Sequence, residues 1–468
     1  MHLRLWILIF FLLQLSACSV KQEEKVAPPA VSKPDSVKAV PSPSPSIVRP
    51  APVSARRPAG RRVAGKGRAS SSYAASAPMA APARGGVKKI AGRHHQKPQA
   101  GILTAGEIDD NLNLSAFKGY VKRITKRNGK LRQYPAVTSH NVVRIQVVDS
   151  TGRGVSNARL KIGGRPYYTR TDGFFYFYPG FELPNFKART FPVALLSSNP
   201  KSSRVIKEAL VDTRARGVYK IVQTGEQNLL PKALDLMFVI DTTGSMGDEL
   251  RYIKTELKGI IKRVKRIHPE TNIRYGLIVY RDVGDQYVVR KYPFQTSLGK
   301  MEKLLSNQTA DGGGDYPEAL EAAVESAVRS NWRTGNTARV MYLIADAPPH
   351  SQNFVKALNA AKVAHQKGIR IYPLGASGVQ DEAEYLMRSM AVISNGRYQF
   401  LTDDSGVGNS HAEPHVACYV VTRLNQLITR TISSELSGRR IEPTKAEMIR
   451  RVGQYDNGVC HLSVHKTN

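Results

Sequence analysis

The second half of this chain is predicted to fold as a doubly wound, mostly parallel α/β sheet, and three observations predict it. Residues 236–240 form an uninterrupted apolar run that stops at Asp241, and residues 340–345 form a second that stops at Asp346. Runs of this kind read as parallel strands buried on both faces. Around them, strand-like and helix-like patterns alternate as far as residue 374, as crossover connections between parallel strands require.

Length and charge set the frame. The chain has 468 residues and a formal net charge of +32, enough length for about three domains. The charge is unevenly placed. Residues 36–106 contain no Asp or Glu, whereas thirteen Lys and Arg lie between Lys38 and Lys97. A segment so basic is drawn to polyanions.

The N-terminal end narrows the choice among them. His2 and Arg4 precede an apolar stretch over 5–15, then Ser16, Ala17 and Cys18. A charged start, a short apolar core and small residues describe an export signal too short to span a bilayer. Leu15-Ser16-Ala17-Cys18 resembles a bacterial lipobox. That resemblance implies cleavage after residue 17 and lipidation of Cys18, and several acyl chains give stable anchoring. Ser19 is not the Asp of inner-membrane retention, so the expected location is the cell envelope, at the outer membrane rather than the inner. Export removes nucleic acid as a partner.

Residues 18–100 are rich in Pro, Ala, Ser, Lys and Arg, with almost no aliphatic pattern. They cannot bury enough apolar surface to fold and read as a disordered tether. As a flexible coil of about 80 residues it averages about 50 Å end to end. Residues 101–139 open with the acidic, Asn-rich run from Glu107 to Asn113, expected to dock as a strap on a folded domain. Asp109, Asp110 and Asn111 are also candidates for calcium, although their spacing is not that of an EF-hand loop.

Residues 140–228 carry strand patterns at 142–149, 158–162, 167–170 and 174–178, with turns at 150–154 and 171–173, which predicts a small all-β sandwich. Val147-Val148-Asp149-Ser150-Thr151-Gly152 and Thr171-Asp172-Gly173-Phe174-Phe175 resemble the cues of carboxypeptidase regulatory-like sandwiches, a name that implies no peptidase chemistry. Ala158-Arg159-Leu160 departs mildly from that pattern.

Residues 229–438 then supply the α/β domain. A helix is predicted over 248–264, with Asp248 and Glu249 in its first turn and basic residues in its last, as the helix dipole favours. Strands are expected at 273–280 and 369–374 and helices at 317–330, 354–367, 381–390 and 417–436, with a C-terminal extension at 439–468. In an exported chain Cys418 and Cys460 are expected to form a disulfide, worth roughly 4 kcal/mol in the chain-entropy description.

The chemistry gathers at the strand ends. Asp241, Thr243 and Ser245 place a carboxylate and two hydroxyls at alternate positions around Gly244. On a strand-to-helix loop all three face one point, and hard oxygens suit Mg²⁺, Mn²⁺ or Ca²⁺ better than zinc. Asp241-Thr242-Thr243-Gly244-Ser245, with the distant Asp346, resembles the metal-ion-dependent adhesion site of von Willebrand factor A domains. In that family a Thr lies on a Gly-Gly-Thr loop between them; here Gly312-Gly313-Gly314 leads to Asp315. Either Asp315 or Thr309 then completes the set, with Asp315 favoured, and Asp282 at a strand end lines the rim. The resemblance implies a cation-dependent, non-enzymatic adhesion or scaffold protein that captures an acidic group of a partner. Two other readings compete. The basic tether alone binds envelope polyanions, or Ser245, Asp346 and one of His350, His411 and His415 form a serine hydrolase. His411 and His415 form a zinc pair only if a third ligand joins them.

Overall fold

In the computed structural model the chain is described over residues 99–461, apart from 127–128, 130, 138–140, 184–187, 226–229 and 407–408. The expected signal peptide, Cys18 and nearly all of the tether lie outside these residues. Among the described residues no helix is long and apolar enough to cross a membrane.

The strap folds into β1 (Thr104–Ile108) and α1 (Leu114–Thr125). The region after it is β2 (Val143–Val148), β3 (Arg159–Ile162), β4 (Arg165–Tyr168), β5 (Phe174–Phe177), a turn of helix α2 (Pro179–Glu182), β6 (Thr190–Leu196), β7 (Val205–Asp212) and β8 (Val218–Val222). These strands make two sheets, β5-β2-β8 and β4-β3-β6-β7. Ile145, Val147, Leu160, Ile162, Val193, Val211 and Ile221 fill the space between them. The alternation seen in the sequence is thus the inward-facing set of a sandwich.

The α/β part follows as β9 (Ala233–Asp241), α3 (Gly247–Ile267), β10 (Asn272–Tyr280), β11 (Val289–Gln295), α4 (Leu298–Ser306), α5 (Leu320–Val328), β12 (Thr337–Ala345), α6 (Phe354–Gln366), β13 (Ile369–Gly375), α7 (Asp381–Ile393), β14 (Tyr398–Thr402), β15 (Tyr419–Arg423), α8 (Leu424–Ser437) and β16 (Arg450–Val452). One nine-stranded sheet runs β11-β10-β9-β12-β13-β14-β1-β15-β16. Strands β10, β9, β12, β13 and β14 are parallel to their neighbours within that run, and β11, β1, β15 and β16 pair antiparallel. Along β9 the side chains alternate between faces. Met237 and Val239 pack with α5, α6 and α7, whereas Leu236, Phe238 and Ile240 pack with α3 and α8.

The sheet reaches beyond the expected 229–438 span at both ends. β1 lies between β14 and β15, with Thr104 opposite Thr402 and Arg423, so the strap is an interior strand rather than an external tie. Its entry is held by Glu256, whose Oε1 accepts the backbone N–H groups of Gly101, Ile102 and Leu103 at 2.7, 2.9 and 3.2 Å. Gly106 is required there, because a Cβ would sit 2.6 Å from the Phe400 ring and 2.9 Å from Tyr419. The expected helix over 417–436 also begins later, at Leu424. Residues 419–422 are buried in a strand that pairs with β1 and β16, and the β-branched pair Val420 and Val421 suits a pleated surface.

The acidic strap residues meet arginines rather than an ion. Asp109 lies 3.0 Å from Arg170 and 3.4 Å from Arg440, and Asp110 takes both arms of Arg388 at 2.9 and 2.8 Å. Asn111 accepts from Tyr178 and donates to the Val392 carbonyl. Calcium has no role to fill at these side chains. The sandwich joins the α/β part through buried polar contacts: Glu182 to His365 at 3.0 Å, and Asn395 to the Tyr176 backbone in both directions. Cys418 and Cys460 are joined in a disulfide.

Candidate metal centre

The order β10-β9-β12 makes the gap between β9 and β12 the place where the chain reverses direction across the sheet. Ligands of open α/β sheets bind at the carboxyl ends of strands flanking such a gap. Ile240 and Ile344 are paired in register, so Asp241 and Asp346 leave adjacent strands at nearly the same level. Both are buried.

Asp241 organises its own loop. Its Oδ1 accepts the Thr243 N–H at 2.9 Å and the Thr243 hydroxyl at 2.7 Å. The Thr243 and Ser245 hydroxyls are 3.2 Å apart. Thr242 points the other way, its hydroxyl bonded to the Tyr280 carbonyl at 2.8 Å. The loop is stapled to the glycine loop by Gly244 N–H to the Gly312 carbonyl (3.0 Å) and Asp311 N–H to the Thr242 carbonyl (3.1 Å). The structure therefore brings Asp241, Thr243, Ser245 and Asp346 to one mouth.

Glu318 joins them there. Gly313 has φ of 73°, and a Cβ on it would come 2.9 Å from Glu318 Oε1 and 3.3 Å from Thr243 Cβ. The Glu318 N–H donates to the Pro348 carbonyl at 2.9 Å, which pins the glycine loop to the turn after Asp346. Sequence reasoning passed over Glu318, because Pro317-Glu318 before an apolar run reads as an ordinary helix start. The available signal was an acidic residue closing a loop that already carries three glycines.

Asp315 goes elsewhere. It is exposed and groups with Asp282 and His350, with one ligand atom of each within 4.8 Å of the others. Thr309 is exposed too, and its carbonyl accepts from Arg281 at 3.1 Å. The physical reason is the pair of left-handed glycines, Gly312 and Gly313. They turn the loop so that Glu318, three residues beyond Asp315, faces Thr243.

The electrostatics are those of a cation site. Burial raises the Asp241 carboxyl well above the usual range, and the Asp346 charge adds to it. Burial likewise raises Asp346, with Glu249 adding. Glu318 is pushed up to about 9, by burial first and then by Asp241, Asp282, Asp346 and Asp285. One oxygen of each acid, Asp241 Oδ2, Asp346 Oδ1 and Glu318 Oε2, is buried with no hydrogen-bond partner. Buried carboxylates are costly unless paired or bound to metal. No Lys or Arg forms an ion pair with any of the three among the described residues. Carboxylates and hydroxyls are the ligands that Mg²⁺, Mn²⁺ and Ca²⁺ prefer, so the donor set fits such an ion.

The histidines do not build the competing sites. His350 Nε2 is 2.9 Å from Asp282. His411 lies between Glu249 at 3.1 Å and Asp403 at 2.8 Å, and His415 pairs with Glu384 at 2.8 Å. None is hydrogen-bonded to Ser245 among the described residues, and His411 and His415 hold separate carboxylates.

Residues 235–410 match the von Willebrand factor type A domain family. The chain carries a von Willebrand factor type A domain. Its sequence is 30% identical over 142 residues to an alpha-protein kinase, vwkA, of Dictyostelium discoideum, covering 30% of this chain and 22% of that protein. It is 27% identical over 165 residues to the human collagen alpha-6(VI) chain, covering 34% of this chain and 7% of the other. The chain thus spans less than a quarter of the length of these curated relatives. A solved structure of the conserved hypothetical protein BatB from Bacteroides thetaiotaomicron aligns over 44% of this chain and 99% of its own, with 17% identity and a TM-score of 0.31. Von Willebrand A domains mediate protein–protein interaction and adhesion, often through a metal.

Proposed function

We propose that this is a lipid-anchored protein of the cell envelope, held by Cys18 at the outer membrane, whose von Willebrand A domain captures an acidic group of a protein partner through a divalent cation. The carrying observation is the set of partnerless oxygens on Asp241, Asp346 and Glu318, buried together at the ends of β9 and β12. Asp241, Thr243, Ser245 and Asp346 would hold Mg²⁺, Mn²⁺ or Ca²⁺, with Glu318 taking the part expected of Asp315. The ion supplies a point of positive charge to which an outside Asp or Glu can bind. Asp241 orients Thr243 by its two hydrogen bonds, and the Gly312 and Thr242 carbonyls fix the loop against movement. In this reading the site binds its partner without turning it over, as a rim of acceptors held in place by the loop's own hydrogen bonds. The 18–100 tether extends its reach and adds attraction to polyanions.

Partner capture from envelope extracts tests the reading, with the full chain and Asp241→Ala compared in Mg²⁺ and in EDTA. Capture is expected only for the wild type in Mg²⁺. Capture that survives both chelation and the substitution refutes the metal bridge. If deleting residues 36–100 abolishes binding, and binding falls steeply with salt, the basic tether is the binding element instead.

A further inference from the structure

Asp282, Asp315 and His350 come from three separate loops, yet bring one ligand atom each within 4.8 Å of the others. Asp282 follows β10, Asp315 ends the glycine loop and His350 closes the turn after β12. Backbone ties fix all three. Asp285 Oδ2 accepts the Asp282 N–H at 3.0 Å and the Gly313 N–H at 2.9 Å, locking the first loop to the second. Glu318 bridges to Pro349, next to His350, locking the second to the third.

Two further observations point to an ion. Glu318 is only 3% exposed and its Oε2 has no partner; Asp282 is among the acids whose charge it feels, as are Asp241 and Asp346. The Glu318 backbone is bridged to Pro349, next to His350, while its Oε1 lies beside Gly313 on the side of Thr243, so the acid stands between the two groups of ligands. Positive charge is also short. Arg281, beside Asp282, turns away to the exposed Asp311 at 3.3 Å and the Thr309 carbonyl at 3.1 Å, and lies over the Tyr287 ring. A single divalent ion at Asp241 and Asp346 leaves Asp282, Asp285 and Asp315 on the same rim.

We propose that Asp282, Asp315 and His350 form a second divalent-cation site beside the first, of transition-metal character, with Glu318 between the two. Imidazole nitrogen selects ions such as Zn²⁺ and Co²⁺ over Mg²⁺ and Ca²⁺. An ion about 2.1 Å from each atom needs ligand separations of about 3–4 Å, so the loops have only to close slightly. The site needs neither the partner nor an ion at Asp241.

Co²⁺ titration of the full chain, without a histidine tag and stripped with EDTA, tests it by visible absorption and equilibrium dialysis. The wild type is expected to bind two equivalents. Asp241→Ala should keep one, together with the histidine-ligated absorption band. His350→Ala and Asp315→Asn should each lose that band and weaken this equivalent at least about tenfold, with far-ultraviolet circular dichroism unchanged. If His350→Ala fails to fold, the exposed Asp315→Asn decides alone. A wild type that binds one equivalent, abolished by Asp241→Ala, overturns the proposal. So does binding in Asp241→Ala that ignores His350→Ala and Asp315→Asn, leaving a plain His350–Asp282 ion pair. Asp241→Ala that retains both equivalents counts against the first site, not the second.

Discussion

Glu318 is a carboxyl group that the fold keeps from ionising. Its folded value of about 9 lies far above the ordinary 4.5. A folded value above the unfolded one gives stability that is complete below the unfolded value and is lost as pH rises toward the folded one. Metal-free chain should therefore lose stability between about pH 5 and pH 9 through this group. Glu318→Gln removes the charge and keeps the shape. We predict that, without metal, the variant unfolds at a higher temperature than the wild type, by a margin that widens from pH 5 to pH 9. With millimolar Mg²⁺ the order should reverse. Equal midpoints at pH 9 in EDTA would contradict this placement of Glu318. At this scale Asp241, Thr243, Ser245 and Asp346 were legible, because an apolar run that stops at a carboxylate marks the end of a buried strand. Glu318 and Asp315 were not separable in sequence. Which of two nearby acids faces inward depends on the φ angles of Gly312 and Gly313, and glycine leaves these open.

Among the elements, β1 matters most for its length. It supplies five residues, pairs on both sides, and separates β14 from β15. Without it two strands would face a gap, with unpaired backbone groups that cost as much as lost hydrogen bonds. Deleting residues 99–113 should lower stability by several kcal/mol or leave the chain insoluble, even though nothing at the metal loops is touched. Thermal unfolding and sedimentation of the deleted chain check this, and an unchanged midpoint would show that the strand is dispensable. The parallel strands β9, β10, β12 and β13 were readable from apolar runs alone. β1 was not, because Thr104-Ala105-Gly106-Glu107-Ile108 has little strand character of its own and is a strand only by virtue of its neighbours. The same holds for β15, whose short run merges with α8 in any search for helical spacing.

The whole molecule is bound by contacts between distant parts of the chain. Asp109 in the strap meets Arg170 of the sandwich region and Arg440 beyond α8. Asn113 holds the C-terminal segment by the Gly458 carbonyl and the Cys460 N–H, both at 2.7 Å. The disulfide closes a separation of 42 residues, for which the chain-entropy relation gives roughly 4 kcal/mol. Cys460→Ser should accordingly lower unfolding stability by about 2–4 kcal/mol, measured by denaturant titration, with far-ultraviolet circular dichroism preserved. A loss well under 1 kcal/mol would mean that Asn113 and Arg440 fix the C-terminal segment by themselves. Strand-and-turn patterns over 140–228 and strand–helix alternation after 229 set the sandwich and the α/β part apart in sequence. Their interface was not legible, since Glu182, His365 and Asn395 carry no mark in sequence of where they will meet.

The interior position of β1 has a consequence in time. Thr104 hydrogen-bonds to Thr402, a residue 298 positions later. At about 5–20 residues per second, the ribosome makes that partner about 15–60 s after the strand itself. Throughout that interval the strand has no sheet to join, and β15 follows later still. The parallel half of the sheet has all its strands first, so the metal loops can form while the far edge is still open. The sheet is sealed last, by bringing together the earliest and the latest of its strands.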